Sequence, residues 1–480
     1  MIRHLPGRAV AGLVLSALVL PLLAEPPRAL AQGAHDYPIP SSAGEAFSPI
    51  REGFTVPLHP RDELRGPAPV DDWREDRLED ARQTRWSNLP VFFRDSAVRL
   101  DSKTYWFDES DFGYDEPKAF TTGGSLSFES GYLADFFQLR SVLYTSQPLY
   151  ANADAGQSLN LTWDGDQITT LGQLSGRLRF AGQQITVGRQ LVRTPYINPY
   201  DSRMIPITYE GVVLVPEHQG PDETIDYIGA YLSRYKPREQ AGFEPLSHGL
   251  GVSQDEGVLI TGASYHKNGF NIGASNYWIK DTLNTAYGEI DYLLPFGSAD
   301  GDDGPQLRIG ANIQDQRTVG AELIAGAPYE TYQASARLAA SYRGFVFEGS
   351  VSKVGDEATI EKPFGFSPSY TATMVTSFQQ AGVEAYLVSL TYDFAELGLE
   401  GVKFRAAWGQ GWGRNDPVTN GDFANQEELD LRLVYAPPRG PLQGLRVEVE
   451  YIDWTVYDDA LPSEDLTQFR TILNYSVPLL

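Results

Sequence analysis

The sequence predicts an all-β chain: an 18-stranded antiparallel transmembrane β-barrel with short periplasmic turns and long extracellular loops. Three observations predict it. Apolar and polar residues alternate with period two in segment after segment from residue 97 onward, long connections fall on one side of the strand series, and a small-residue cleavage motif follows an N-terminal apolar run.

The elements follow in chain order. Residues 1–31 read as a signal peptide: Arg3, His4 and Arg8 are a basic start, Ala9 to Ala24 is apolar, and Ala29-Leu30-Ala31 is a small-x-small site before Gln32. Pro21 interrupts the run, which is short for a spanning helix, so cleavage near Ala31 and export are expected. Residues 32–92 form a Pro-rich periplasmic N-terminal extension in which Asp71 to Ser87 suits a short polar helix. Two roles stay open for it, a mobile tail or a partial plug of the barrel mouth. Residues 93–480 are the barrel.

Near the C-terminus the alternation is plain. Leu429, Leu431, Leu433 and Tyr435 are interleaved with Asp430, Arg432 and Val434, then Leu445, Val447, Val449 and Tyr451 with Arg446, Glu448 and Glu450. Side chains on a strand point to opposite faces, so each segment is apolar on one face and charged on the other. Cutting at turn signals gives strands 97–107, 120–130, 133–146, 172–181, 183–192, 209–216, 225–235, 256–267, 269–279, 284–294, 305–316, 331–343, 344–353, 381–395, 400–411, 426–437, 443–455 and 466–478. The links after odd strands include 147–171, 193–208, 236–255, 317–330 and 354–380, whereas those after even strands shrink to turns such as Gly182 and Asn268. A soluble sandwich has no reason to sort its loops this way.

Composition excludes several functions. Removing Arg3, Arg8 and Arg28 against Glu25 takes 38 basic and 63 acidic residues to 35 and 62, so the mature chain carries −27 and suits no nucleic acid. With no cysteine there is neither a disulfide nor a thiolate metal site. The acidic run Asp300-Gly301-Asp302-Asp303-Gly304 lacks the spacing and terminal Glu of a calcium loop, so no metal or other cofactor is expected. The six histidines are scattered and neither G-x-S-x-G nor H-E-x-x-H occurs, so no catalytic residue is assigned and the chain is not expected to be an enzyme. The 26 Tyr and 8 Trp suit the two membrane interfaces, with outer-membrane lipid and lipopolysaccharide as partners.

One segment is similar to a known family. Asn198-Pro199-Tyr200-Asp201-Ser202-Arg203-Met204-Ile205-Pro206-Ile207-Thr208-Tyr209-Glu210-Gly211-Val212 resembles the D-x-R-L-L-P-x-T-F-x-G signature of the OprD family of outer-membrane porins. Val187-Gly188-Arg189-Gln190 before it, the strand from Val98 to Phe107, and the ends Leu429-Asp430-Leu431 and Phe469 to Tyr475 resemble that family too, so the likeness spans roughly residues 90–480. The resemblance implies an eighteen-stranded barrel, monomer or loose trimer, whose narrow pore is constricted by the third loop and passes small solutes, commonly carboxylates.

The expected site has three parts. The loop 193–208, stiffened by Pro195, Pro199 and Pro206, is the constriction candidate, with Tyr196, Tyr200, Asp201, Arg203 and Tyr209 as its contacts. With the apolar face on lipid, Arg99, Lys103, Lys403, Arg405, Arg432, Arg446 and Arg470 form one basic wall across the closure of strand eighteen on strand one. Further inward arginines are Arg140, Arg177, Arg179, Arg308 and Arg337, and the opposing acids are Glu289, Asp291, Glu348 and Glu384. A ladder of guanidinium groups offers successive stations for a carboxylate, and the acids with Asp201 suit an ammonium group, as on amino acids or peptides. The plain alternative is solvated lumen charge, with Asp101, Glu448 and Glu450 neutralising their neighbours. Two other functions stay open: a barrel passing oligosaccharides, which requires aromatic rows along the lumen, and a soluble exported β binding protein. Arg189 and Arg193 fall on the apolar phase of strand five, which calls for a bulge or for Arg193 above the membrane.

Overall fold

A computed structural model describes residues 88–479, except 111–115, 217–222, 297–303, 325–327, 329, 414–424, 441 and 459–460. The expected signal peptide, most of the extension with its helix at Asp71 to Ser87, and most of the acidic run from Asp300 lie outside the described residues. A four-residue helix, Val91–Arg94, precedes the first strand.

Eighteen strands close a ring. In chain order they are β1 (Ala97–Ser110), β2 (Lys118–Glu129), β3 (Phe137–Ala151), β4 (Ile168–Phe180), β5 (Gln183–Gln190), β6 (Thr208–Pro216), β7 (Glu223–Lys236), β8 (Val258–Lys267), β9 (Phe270–Ile279), β10 (Leu283–Pro295), β11 (Gln306–Thr318), β12 (Glu330–Tyr342), β13 (Phe345–Val354), β14 (Glu384–Asp393), β15 (Val402–Trp412), β16 (Asn425–Tyr435), β17 (Leu445–Asp458) and β18 (Leu461–Pro478). A two-residue strand, Glu244–Pro245, sits on the end of β7. Each strand is antiparallel to the next, and β18 returns to β1 in continuous register from Arg99↔Pro478 to Ser110↔Thr467. Closure removes every free sheet edge, which a membrane-spanning sheet requires because lipid offers no hydrogen bonds.

Alternation decides which face is which. Leu100 pairs with Leu126 and Leu126 with Leu143, Val187 with Val212, Ile272 with Ile290 and Phe347 with Leu390, and all of these are exposed. Such an apolar belt around a whole barrel is a lipid surface, and it argues against the soluble binding protein. Aromatic clusters mark both rims: Phe270 with Tyr292 and Phe345 with Tyr392 near the short turns, and Trp106 with Phe120 and Tyr386 with Trp408 and Trp412 toward the long loops.

Turn chemistry sorts the two ends. Ala181-Gly182, Asn268-Gly269 and Arg343-Gly344 all have positive φ at both residues, the tight-hairpin geometry that matches strand twist. All three follow even strands. The long connections 152–167, 191–207, 237–257 and 355–383 follow odd strands, as the sequence leads one to expect. Arg189 faces outward with no bulge in its pairings and is neutralised by Glu210 at 2.9 Å, while Arg193 lies beyond the end of β5. The apolar core sits inside the ring, where Val192, Tyr196, Ile197 and Ile207 pack on Tyr209, Leu232, Ile260 and Phe364.

Candidate pore constriction and charged walls

The 191–207 loop folds into the lumen. On one side the Tyr196 backbone N–H donates to the Tyr277 hydroxyl of β9 at 3.3 Å, and the Tyr196 hydroxyl accepts from Gln316 of β11. On the other, Asp201 meets Lys103 of β1 at 3.1 Å, and Lys103 also donates to the Arg203 carbonyl. A segment touching β1 and β11 crosses the interior. Arg203 is fully buried: its Nε donates to the Ser158 carbonyl at 2.8 Å, its Nη1 reaches the Tyr105 hydroxyl at 3.5 Å, and its guanidinium lies 5.2 Å from the Phe107 ring. Burial, with Arg470 and Arg238 nearby, pulls that guanidinium down to about 10.

Tyr200 has φ +46, a left-handed conformation held by its surroundings, and its ring lies under the Arg238 guanidinium at 4.0 Å. Arg238 in turn donates to Ser202 Oγ at 2.7 Å. Tyr209, at the start of β6, directs its hydroxyl to the carbonyls of Asn198 and Phe364, at 2.9 and 2.5 Å. Of the five residues expected at the constriction, four belong to this loop and Tyr209 adjoins it; Tyr196, Asp201, Arg203 and Tyr209 are buried and Tyr200 is half-buried.

A second inward loop has no counterpart in the sequence reading. Residues 355–383 fold along the inner face of β11, β12 and β16. Asn312 donates to the Pro368 carbonyl at 2.8 Å, and the Tyr370 N–H donates to Ser335 Oγ at 3.2 Å. The Glu428 carboxylate accepts from Thr373 Oγ1, Val375 N and Thr376 N at 2.6–2.7 Å, and Asp430 accepts from Met374 N at 3.1 Å. Ser367, Ser369, Thr371, Thr373, Thr376 and Ser377 are all buried. That run of hydroxyls between Met374, Val375 and Phe378 is the signal available in the sequence: short donors that satisfy a buried, irregular backbone.

The basic wall is continuous, as strand closure requires, but it is not bare. Arg405 lies directly opposite Arg432, Arg432 opposite Glu450, and Glu450 opposite Arg470. Arg432 donates to Glu448 at 3.0 Å and lies 3.2 Å from Glu450; Arg446 donates to Glu448 at 2.6 Å; Arg470 is 3.4 Å from Glu450. Lys403 pairs with Asp393 at 3.0 Å. Arg405, Arg432 and Arg470 are at most 2% exposed, whereas Arg99, Lys403 and Arg446 are half-buried and reach the lumen. The wall thus has an accessible row toward the periplasmic end and a buried row behind the loops.

The acidic wall holds three of its four expected members. Glu289 accepts from the Tyr287 hydroxyl at 2.7 Å and from Asn271 at 3.0 Å. Asp291 pairs with Arg337 at 2.8 Å and Arg308 at 3.7 Å. Gly310 makes this possible, because a Cβ there would lie 2.5 Å from Asp291 Oδ2 and 3.1 Å from Arg337 Nε. Glu348 is fully buried, accepts from Ser350 at 3.2 Å, and lies within electrostatic reach of Arg337 and Arg405, so the two walls meet at β13–β15. Glu384 corrects the expectation. On β14 the inward residues are Ala385, Leu387, Ser389 and Thr391, and Glu384 falls on the outer phase, paired with Lys353 at 2.8 Å on the barrel's outside.

Of the other arginines placed inward, Arg177 is buried and donates to Gln138 at 3.2 Å, Arg140 pairs with Glu129 at 3.1 Å, and the Arg179 guanidinium stacks 3.5 Å from the Tyr132 ring. Among the described residues no His, Cys, Asp and Glu group has the arrangement of a metal site.

The profile described as outer membrane porin, OprD family, matches residues 90–479. The fold is similar to that of Pseudomonas aeruginosa OpdK with vanillate (TM-score 0.70, 21% identity, covering 81% of this chain and 100% of that one). It is similar to Pseudomonas aeruginosa OccK2 (OpdF) in complex with glucuronate (0.68, 18%, 82% and 100%) and to a BenF-like porin from Pseudomonas fluorescens Pf-5 (0.71, 17%, 81% and 100%). No curated protein sequence shows a significant match.

Proposed function

Since this chain belongs to the OprD family of outer-membrane porins, we propose that it conducts small carboxylate-bearing solutes through a passage narrowed by the 191–207 and 355–383 loops. The observation that carries the proposal is the accessible row Arg99, Lys403 and Arg446 on the basic wall, backed by the buried Arg405, Arg432 and Arg470. The half-buried cations offer contact. The buried ones act through their field, which reaches further where low-dielectric protein replaces water. Arg446 already holds a carboxylate, Glu448, through Nε. A solute carboxylate would enter such a site by exchange with the resident one, so binding is shallow enough to permit release.

Two similar structures carry vanillate and glucuronate, both carboxylates, which supports the same solute class here. The acidic wall at Glu289, Asp291 and Glu348 favours solutes that also carry a cationic group, amino acids or peptides among them. The oligosaccharide reading fares worse: inward Tyr105, Phe107, Tyr144, Tyr277 and Tyr287 are at most 7% exposed and present no stacking faces to a sugar. We place export under the signal at residues 1–31 and assign residues 32–92 to the periplasm. The test is current through planar bilayers with benzoate, arginine and glucose as competitors. Benzoate should carry or block current most strongly, and equal effects of all three would reject the carboxylate preference.

A further inference from the structure

The two inward loops meet where Phe364 packs with Val192, Tyr196 and Ile197, the Tyr200 and Phe366 rings lie 6.0 Å apart, and Asn198 makes the hydrogen bonds. Asn198 of the first loop uses its carboxamide as an extra peptide unit: Oδ1 accepts from the Phe366 N–H at 3.0 Å and Nδ2 donates to the Phe366 carbonyl at 3.2 Å. Its backbone N–H donates to the Phe364 carbonyl at 3.1 Å, and the Tyr209 hydroxyl bridges the Asn198 and Phe364 carbonyls. Between the paired residues sits Gly365, where a Cβ would lie 2.7 Å from Asn198 Cγ. Any larger residue at 365 displaces the carboxamide.

The far end of the 355–383 loop is held on β16 by Glu428 and Asp430. The loop is also pinned to β11 at Glu361 by Gln316 and at Pro368 by Asn312, and to β12 at Tyr370 by Ser335, so the bend at 364–366 between the two β11 pins is the part held by the 191–207 loop and Tyr209. We infer that Asn198 is a positioning residue for permeation: its carboxamide clips the 364–366 bend of the 355–383 loop to the 191–207 loop and so fixes the width of the passage they border at that point. Asn198 need touch no solute to do this. Aspartate is no substitute, because a carboxylate keeps the acceptor for Phe366 N–H but faces the Phe366 carbonyl with no donor.

This inference rests on the channel reading but not on the carboxylate preference, because small-ion current alone reports it. The test is single-channel recording of N198A, N198D and the double variant N198C/G365C, each first shown to be folded by heat-modifiable migration. N198A and N198D should show raised mean conductance and new fluctuating sublevels. The chain has no cysteine, so the double variant forms only the intended bond; it should be quiet when oxidised and noisy when reduced. Wild-type conductance and noise in N198A would overturn the inference, as would a folded double variant whose noise ignores the redox state. Conduction that fits the clip while benzoate, arginine and glucose compete equally would remove the carboxylate preference and leave the clip standing.

Discussion

The wall from β15 round to β1 and the wall from β10 to β13 bury the same kinds of group in different company. On the first, the guanidinium groups of Arg432, Arg446 and Arg470 share the carboxylates Glu448 and Glu450. On the second, Arg308 and Arg337 converge on Asp291, while Glu289 and Glu348 are held by neutral donors from Tyr287, Asn271 and Ser350. A buried charge persists only when paired or hydrogen-bonded, and both walls are satisfied: the first buries Lys103, Arg405, Arg432 and Arg470 among Glu109, Glu428, Asp430, Glu448 and Glu450, the second Arg337 among Glu289, Asp291 and Glu348, so the accessible cations Arg99, Lys403 and Arg446 are what set the first apart. Under the proposed function, such a lumen would orient a solute with separated charges instead of selecting by size alone.

The contrast can be broken one group at a time. E448Q leaves Arg432 and Arg446 facing a neutral amide and should cost about 3 kcal/mol of barrel stability, measured as a lowered urea midpoint for loss of heat-modifiable migration. E289Q removes a carboxylate whose listeners are neutral, and should cost about 1 kcal/mol by the same measurement while moving selectivity toward anions. If E289Q proved the costlier of the two, the distinction between a carboxylate shared by two guanidinium groups and one held by neutral donors would fail. The smallest effect belongs outside the ring. E384Q breaks an exposed, solvent-screened pair with Lys353 and should leave the urea midpoint and the selectivity unchanged, so a shifted reversal potential would return Glu384 to the lumen.

The same contrast shows how far the sequence could be read. The eighteen strands, their order and the inward phase of Arg432, Arg446 and Arg470 were legible because one face is apolar and the other charged along β16, β17 and β18. Phase was lost on β14. There Leu387, on the inner face, is as apolar as Val388 and Leu390 on the outer one, because Phe378 and Val383 of the inward loop pack inside near Ala385. Period-two reasoning has no contrast to use on such a strand, and Glu384 went to the wrong side.

The 191–207 loop was legible through its prolines and its family signature. The 355–383 loop was legible as a long connection but its inward fold was not, because a segment whose backbone is satisfied by side chains of the wall leaves no period at all. Nor does alternation distinguish a cation that lines the passage from one sealed behind a loop, as Arg446 and Arg470 are distinguished here.

The reversal potential under a potassium benzoate gradient, compared between the wild type and K403Q/R446Q, tests the central claim most directly. These two cations reach the lumen, and their loss leaves the buried row in place. The wild type should pass benzoate in preference to potassium, and the double variant should shift toward potassium with no loss of heat-modifiable migration. An unchanged reversal potential in the folded double variant, or a wild type that prefers potassium, would contradict a basic wall that conducts carboxylates.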